Sequence, residues 1–359
     1  MFAEAVEKGL SRGLTWDQAT EAAATAFGTA LQEGAPHVAD VLVSTAPRML
    51  RKQRRHQRGF ERRLRSRWGR ALDLMEIIYV CAEEAGGTFN QEHRPKAVST
   101  NDIRFDVLTR LHARACRTTR ETLHLLEGGY PMGALARSRT LHELAVTAMV
   151  LAEHGNQAPS MDLAERFALS ERVSAYRDAV QFQEHAESLG YEPFSDVEMA
   201  EMREDRDALI ARYGREYADT YGWAATLFSG RAPKFAELEA LANVAHLRPH
   251  YRWASHEVHS DAKGLEANML TRGGLSWQST GATNSGLADP GHMAVIALHQ
   301  CTVALLLCPE EPAPKDLVAL MAMQNLVDRA GDAFLEAHQR LEKDEARLPS
   351  NSDDPPEKS

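Results

Sequence analysis

Apolar residues recur at intervals of three and four along nearly the whole chain. That single period allows helices and little else. The spacing predicts helices near 16–33, 48–85, 100–127, 131–154, 160–189, 195–213, 234–246, 249–263, 290–308 and 313–342. TWDQ at 15–18 and SDVE at 195–198 read as capping boxes. Gly128-Gly129, Gly155, Gly190, Gly214 and Gly264 follow apolar-periodic runs as helix stops do, and Pro131, Pro249 and Pro290 sit where a first turn should begin. No hairpin signal and no internal repeat stands out. The expected fold class is therefore all-α, a multi-helix bundle of long antiparallel helices.

The expected organisation has four parts: an N-terminal helical extension over 1–34, a helical core domain over 35–310 that carries the site, a C-terminal helix over 311–344 packed on it, and a disordered tail over 345–359. Residues 86–99 read as a polar connection. TRGGLSWQSTGATNSGLAD at 271–289 reads as a long glycine- and serine-rich loop, either a lid or binding loop or simply a mobile segment.

The chain has 359 residues, 43% hydrophobic and 26% charged, enough for a sizeable core. Cys81, Cys116, Cys301 and Cys308 form no CxxC pair and read as reduced thiols of a cytoplasmic protein. The start, MFAEAVEKGLSRGL, lacks the pattern of a signal peptide. MAVIALHQCTVALLLC at 293–308 is short for a bilayer and reads as a core helix. Net charge is −10, but residues 47–70 hold eleven Arg or Lys against one Glu. Such a block attracts phosphate polyanions or rests on the acidic remainder. Phe60, Leu64, Trp68 and Leu72 recur through it every four residues and mark an amphipathic helix.

Two stretches concentrate polar chemistry. In PHYRWASHEVHSDAKGL at 249–265, Tyr251, Ser255 and His259 stack as one helical stripe. Arg248, Arg252 and His256 form its neighbour, with Ala254, Val258 and Ala262 as the apolar face. Histidines at such an edge are open to tuning of pKa and tautomer. In GYPMGALARSRTLHELAVTAMVLAEHG at 129–155, Arg139 and Glu143 lie four apart on the side of Met132, Val146 and Val150. Two charges on an apolar face must pair or bind something. Neither group has enough polar neighbours on its own helix. The two helices are therefore expected to pack, so that Arg139 and Glu143 meet Tyr251, Ser255 or His259.

RTLHE on a buried helix, then YGWAATLFSG, then YRWASHEVHSDAKGL, preceded by FERRLRSRWGRALDLM, resembles the bacterial domain-of-unknown-function family 5677 over roughly residues 35–310. The resemblance implies an all-helical intracellular bacterial protein and no established activity. A looser resemblance is to the HEPN ribonucleases, whose signature is Arg, four to six residues, then His. Arg137–His142 and Arg252–His259 fit, as do Arg51–His56 and Arg117–His124. That family often places Asn or Asp after the Arg, where this chain has Ser138 and Trp253. Metal-free RNA cleavage needs a base, an acid and positive charge at the phosphate, which His and Arg supply.

His256-Glu257-Val258-His259 is one residue short of the zincin HExxH, and Glu121…His124 is a single ExxH where di-iron bundles use two, so no metal or cofactor is expected. Two functions compete. One is a helical binding or interaction module whose polar pocket takes an anionic ligand or fixes the bundle. The other is a metal-independent HEPN-like ribonuclease acting as a toxin or defence effector. In the second, Arg252 or Arg139 holds phosphate, His259 moves the proton, and Arg137, His142, Tyr251 and His256 are further candidates. The partner class is RNA or a small anion. The HEPN resemblance leans toward a homodimer. No membrane partner and no sequence-specific DNA motif is read.

Overall fold

Both capping boxes form where the sequence marks them. Thr15 Oγ1 accepts from the Gln18 N–H at 3.4 Å while Gln18 Oε1 accepts from the Thr15 N–H at 3.1 Å. Ser195 and Glu198 exchange the same pair at 3.3 and 2.8 Å. The computed structural model describes residues 2–155, 161–259, 262–267, 269–272, 275–278 and 280–347, with the side chains of 257, 259, 265–267, 269–272 and 275–277 outside the description. Its elements are α1 (Phe2–Ser11), α2 (Trp16–Thr100), α3 (Ile103–Glu127), α4 (Pro131–His154), α5 (Leu163–His185), α6 (Asp196–Tyr213), α7 (Phe235–Leu241), α8 (Arg248–His259), α9 (Ala262–Ala267), β1 (Met269–Arg272), β2 (Leu275–Gln278), α10 (Ala288–Leu306) and α11 (Pro314–Ala346). The fold class is all-α as expected.

The chain divides into two units, residues 1–63 and 64–359. In the first, Val6 of α1 packs with Ala19 and Ala23 of α2. A Cβ on Gly9 would come within 2.8 Å of the Ala19 methyl, so that helix crossing depends on glycine.

The second unit is built on α4 and α10, whose buried Leu141, Ala145, Val146, Val150, Val295, Leu298, Cys301 and Leu305 fill the centre. The tight turn at 128–130 reverses the chain between α3 and α4, with Gly129 at φ 78°. Ser138 Oγ donates within this core, between the carbonyls of Ala134 (2.9 Å) and Pro290 (2.8 Å). Gly291 admits the Phe334 ring of α11, whose Cζ lies 2.2 Å from where a Cβ would stand. The segment at 293–308 is a core helix, and among the described residues no helix is long and apolar enough to cross a membrane. The four cysteines are free, with Cys116, Cys301 and Cys308 buried.

Three features differ from expectation. Residues 34–47 and 86–99, read as breaks, belong to one continuous α2. Over 86–99 the reason is packing: Phe89 is buried and stacks at 6.1 Å on Phe105 of α3, and Arg94 reaches Asp106 at 2.9 Å. Gly86 is there because the His112 ring occupies the space of a side chain, 2.3 Å from a Cβ. Second, the 271–289 loop is partly a hairpin, β1 pairing antiparallel with β2 in the register Met269↔Gln278 to Arg272↔Leu275. Third, Gly264 lies inside α9 instead of ending the preceding helix. The polar tail from 345 begins within α11, which runs to Ala346, and residues 348–359 lie outside the described residues.

Candidate functional site

Helix α8 is short, and among its described side chains the buried ones lie in the first two turns. Tyr251 and Ala254 are buried there, while Val258, expected on the apolar face, is half-exposed, and Ala262 is exposed. The expected meeting of α4 and α8 is made. The Tyr251 hydroxyl donates to Glu143 Oε1 at 2.9 Å and accepts from Arg139 Nη2 at 3.2 Å, while Arg139 Nε donates to the same Glu143 oxygen at 3.2 Å. The guanidinium also stands over the Tyr251 ring, 5.0 Å from its centroid. One hydroxyl thus closes a ring of three charge-assisted hydrogen bonds. Burial, helped by the Glu143 carboxylate, pushes the Tyr251 phenol up to about 12, so it stays a donor at neutral pH. Arg139 is held protonated: desolvation works against its charge, and Tyr251 and Glu143 outweigh it.

The pair is less buried than its apolar neighbours suggested. The Arg139 side chain retains 18% of its exposure and Glu143 36%. The pair sits at the margin of the α4 face, where water still reaches both side chains.

A second polar group lies deeper, and sequence reasoning missed its key member. Glu239 of α7 is 0% exposed. It accepts from His142 Nε2 at 2.9 Å and pairs with Arg248 at the start of α8. A carboxylate only accepts here, so the His142 proton sits on Nε2. Desolvation lowers the His142 pKa, against the pull of Glu239, and keeps the ring neutral at pH 7. The two groups touch through rings: His142 lies 5.6 Å from Tyr251 and 5.9 Å from Phe235, and Phe235 lies 4.8 Å from Tyr251. Tyr221 stacks on Phe235 at 5.8 Å. A signal for Glu239 was present, since in FAELEALA the apolar stripe Phe235, Leu238, Ala242 passes through position 239.

The spacing-based pairs fare differently. Arg137 and His142 are five residues apart, about 140° around a helix, and face different neighbours. Arg137 reaches Glu121 of α3 at 3.3 Å on the surface, while His142 is buried on Glu239. Ser255 donates to the Tyr251 carbonyl at 2.8 Å, a bond within its own helix turn. Arg252 is exposed on the outer face of α8, where Pro249, Arg252, Trp253, His256 and Lys263 line an open cleft of about 480 Å³. The side chains of Glu257 and His259 lie outside the described residues, so the HExH spacing and the Arg252–His259 pair do too. Glu121 of the ExxH faces Arg117 and Arg137.

The basic block is neutralised on its C-terminal side. Arg65 pairs with Asp73 and Glu127, Arg67 with Asp344 and Arg70 with Glu336, all within the second unit.

No curated protein and no solved structure matches the chain. The matched span is narrower than the expected 35–310 and leaves out α1 and α2; it holds α4, α7 and α8, and with them both polar groups and the outer cleft. Residues 105–274 match the model of a family of unknown function, DUF5677.

Proposed function

We propose that the second unit is a helical binding module for a small phosphate-bearing anion, with the outer face of α8 as its site and the inner face as its scaffold. The observation that carries this reading is the division of α8. Its inward side chains are engaged: Tyr251 with Arg139 and Glu143, Arg248 with Glu239. Its outward side chains, Arg252 and His256, share an open cleft with Lys263 and the half-exposed Trp253, and among the described residues no carboxylate lines that cleft. Two cations and an aromatic face suit an anion joined to a planar ring, such as a nucleotide. The inner network fixes the helix that presents them.

Titration of the full chain with inorganic phosphate and with a nucleoside 5′-monophosphate, followed by tryptophan fluorescence, tests this. The expected result is a saturable change for the nucleotide that is lost in Trp253→Phe and in Arg252→Ala. A flat titration in the wild type overturns the reading.

A HEPN-like ribonuclease is the second reading, favoured by Arg252 and His256 sharing one cleft. There the guanidinium would hold the scissile phosphate. A histidine, His256 or His259, would take the 2′-hydroxyl proton as that oxygen attacks phosphorus, and the departing 5′-oxygen would be protonated in turn. Arg139 and His142 are engaged instead with Glu143, Tyr251 and Glu239. Growth arrest with RNA loss on expression in bacteria, relieved by His256→Ala or His259→Ala, would support it. Normal growth and intact RNA at high expression would remove it.

A further inference from the structure

The sixteen residues from Arg48 to Arg63, in the first unit, hold eight Arg or Lys and one Glu, and all eight cations are exposed. At about 100° per residue, Arg48, Arg51, Lys52, Arg54, Arg55, Arg58, Arg62 and Arg63 fall within about half of the circumference of α2. The other half carries Met49, Leu50, Gln53, His56, Gln57, Phe60 and Glu61. Along that basic half Arg58 and Arg62 donate to the carbonyls of Arg54 and Arg58, one turn back. Among the described residues, Arg48, Arg51, Lys52, Arg54, Arg55, Arg58 and Arg62 meet no carboxylate, in contrast to Arg65, Arg67 and Arg70 just beyond. The pairs 48/52, 51/55, 54/58 and 58/62 place like charges one turn apart, which works against the helix. A helix that keeps four such repulsions on one face is suited to an external polyanion that relieves them.

We infer that the basic face of Arg48–Arg63 is a nucleic-acid backbone-binding surface. Three observations favour a nucleic acid over an anionic membrane. The cations are arginines in seven of eight positions, and the guanidinium fork matches phosphate oxygens two at a time. They cover half the helix, whereas an interfacial helix needs a broad apolar face of its own, and here the opposite face carries two glutamines. The face is about 24 Å long, a span of about seven phosphates of one strand. Without base-reading geometry, the binding is to the backbone and not to sequence. This surface is independent of the α8 cleft and shares no residue with it.

Fluorescence anisotropy with the full chain and short mixed-sequence probes, one single-stranded RNA and one DNA duplex, tests it. Affinity should weaken by about two to three orders of magnitude between 50 and 200 mM salt, as about five or six phosphate contacts require. Replacing Arg51, Arg55, Arg58 and Arg62 together by Gln should weaken binding by more than about 30-fold and flatten the salt slope by about three. The same four positions as Lys should stay within about fivefold of wild type, which separates charge from fold. Replacing Arg65, Arg67 and Arg70 by Gln should change binding by less than about threefold, because those cations are already paired. RNA and duplex are separate arms, and salt-dependent binding of either supports the surface. Wild-type affinity in the four-Gln variant overturns it. So does an equal loss in the Arg65, Arg67 and Arg70 variant, or binding only to vesicles of phosphatidylcholine with phosphatidylserine.

Discussion

Replacing Glu239 should damage the second unit more than any other change at the α4–α8 contact. The carboxylate is 0% exposed and holds two partners of different kinds. Glu239→Ala strands the His142 Nε2–H in a buried site, which costs about 1–3 kcal/mol. It also opens space for a deleted side chain, about 1 kcal/mol or more. Arg248 keeps 38% of its exposure and can turn to water, so its share is nearer 1 kcal/mol than the several expected of a fully buried ion pair. The expected total is on the order of 4 kcal/mol, and Glu239→Gln, which keeps an acceptor for His142, should cost about half of that. Glu143→Ala should cost only about 1 kcal/mol, since that carboxylate is 36% exposed. Urea titrations followed by far-UV circular dichroism read all three. A Glu239→Ala loss below about 0.5 kcal/mol, or a Glu143→Ala loss that exceeds it, would refute the depth assigned to the two networks.

Other consequences can be measured the same way. Burial pushes the His112 pKa down to about 4 and lowers His142, His292 and His299 by the same cause. The unfolded histidines take their protons near pH 6.5, so stability present above that pH should fall on acidification toward about 4, by up to about 1.4 kcal/mol per pH unit for His112 alone. A urea midpoint that rises between pH 7.5 and 5 would contradict this. Gly291→Ala puts a methyl 2.2 Å from Phe334 Cζ and should cost about 2 kcal/mol in thermal unfolding, whereas no loss would mean that α11 shifts freely. Tyr251→Phe removes the hydroxyl that links Arg139 and Glu143 and should cost about 1 kcal/mol, with Arg139 and Glu143 still in direct contact.

The helical period carried most of the fold. The start and end of α4 match their punctuation, because Pro131 and Gly155 mark termini by backbone chemistry alone. Elements decided by packing were harder to see. Gly86-Gly87 and Pro95 look like a break, yet Phe89 and the space taken by the His112 ring hold that stretch in α2, and both depend on a partner helix. The β1–β2 hairpin has a two-residue turn signal in the sequence, Gly273-Gly274 between Arg272 and Leu275, but its strands are only four residues each and lie in a glycine- and serine-rich run. At the α4–α8 contact, Arg139, Glu143 and Tyr251 were legible because polar residues on an apolar face must find one another. Glu239 was not, since its stripe spans barely two turns of a short helix. The pairing of Arg137 with His142 by spacing failed for a geometric reason: their separation of five residues turns them toward different neighbours.

The central claim is that the two faces of α8 do different work. It is tested most directly by measuring stability and nucleotide binding on the same two variants, Arg252→Ala and Tyr251→Phe. The expected split is that Arg252→Ala leaves the urea midpoint unchanged, within about 0.5 kcal/mol, and abolishes binding. Tyr251→Phe should lower stability by about 1 kcal/mol and leave affinity within about threefold. The reverse pattern, in which Tyr251→Phe abolishes binding at full stability while Arg252→Ala binds normally, would place the site on the inner face and contradict the account.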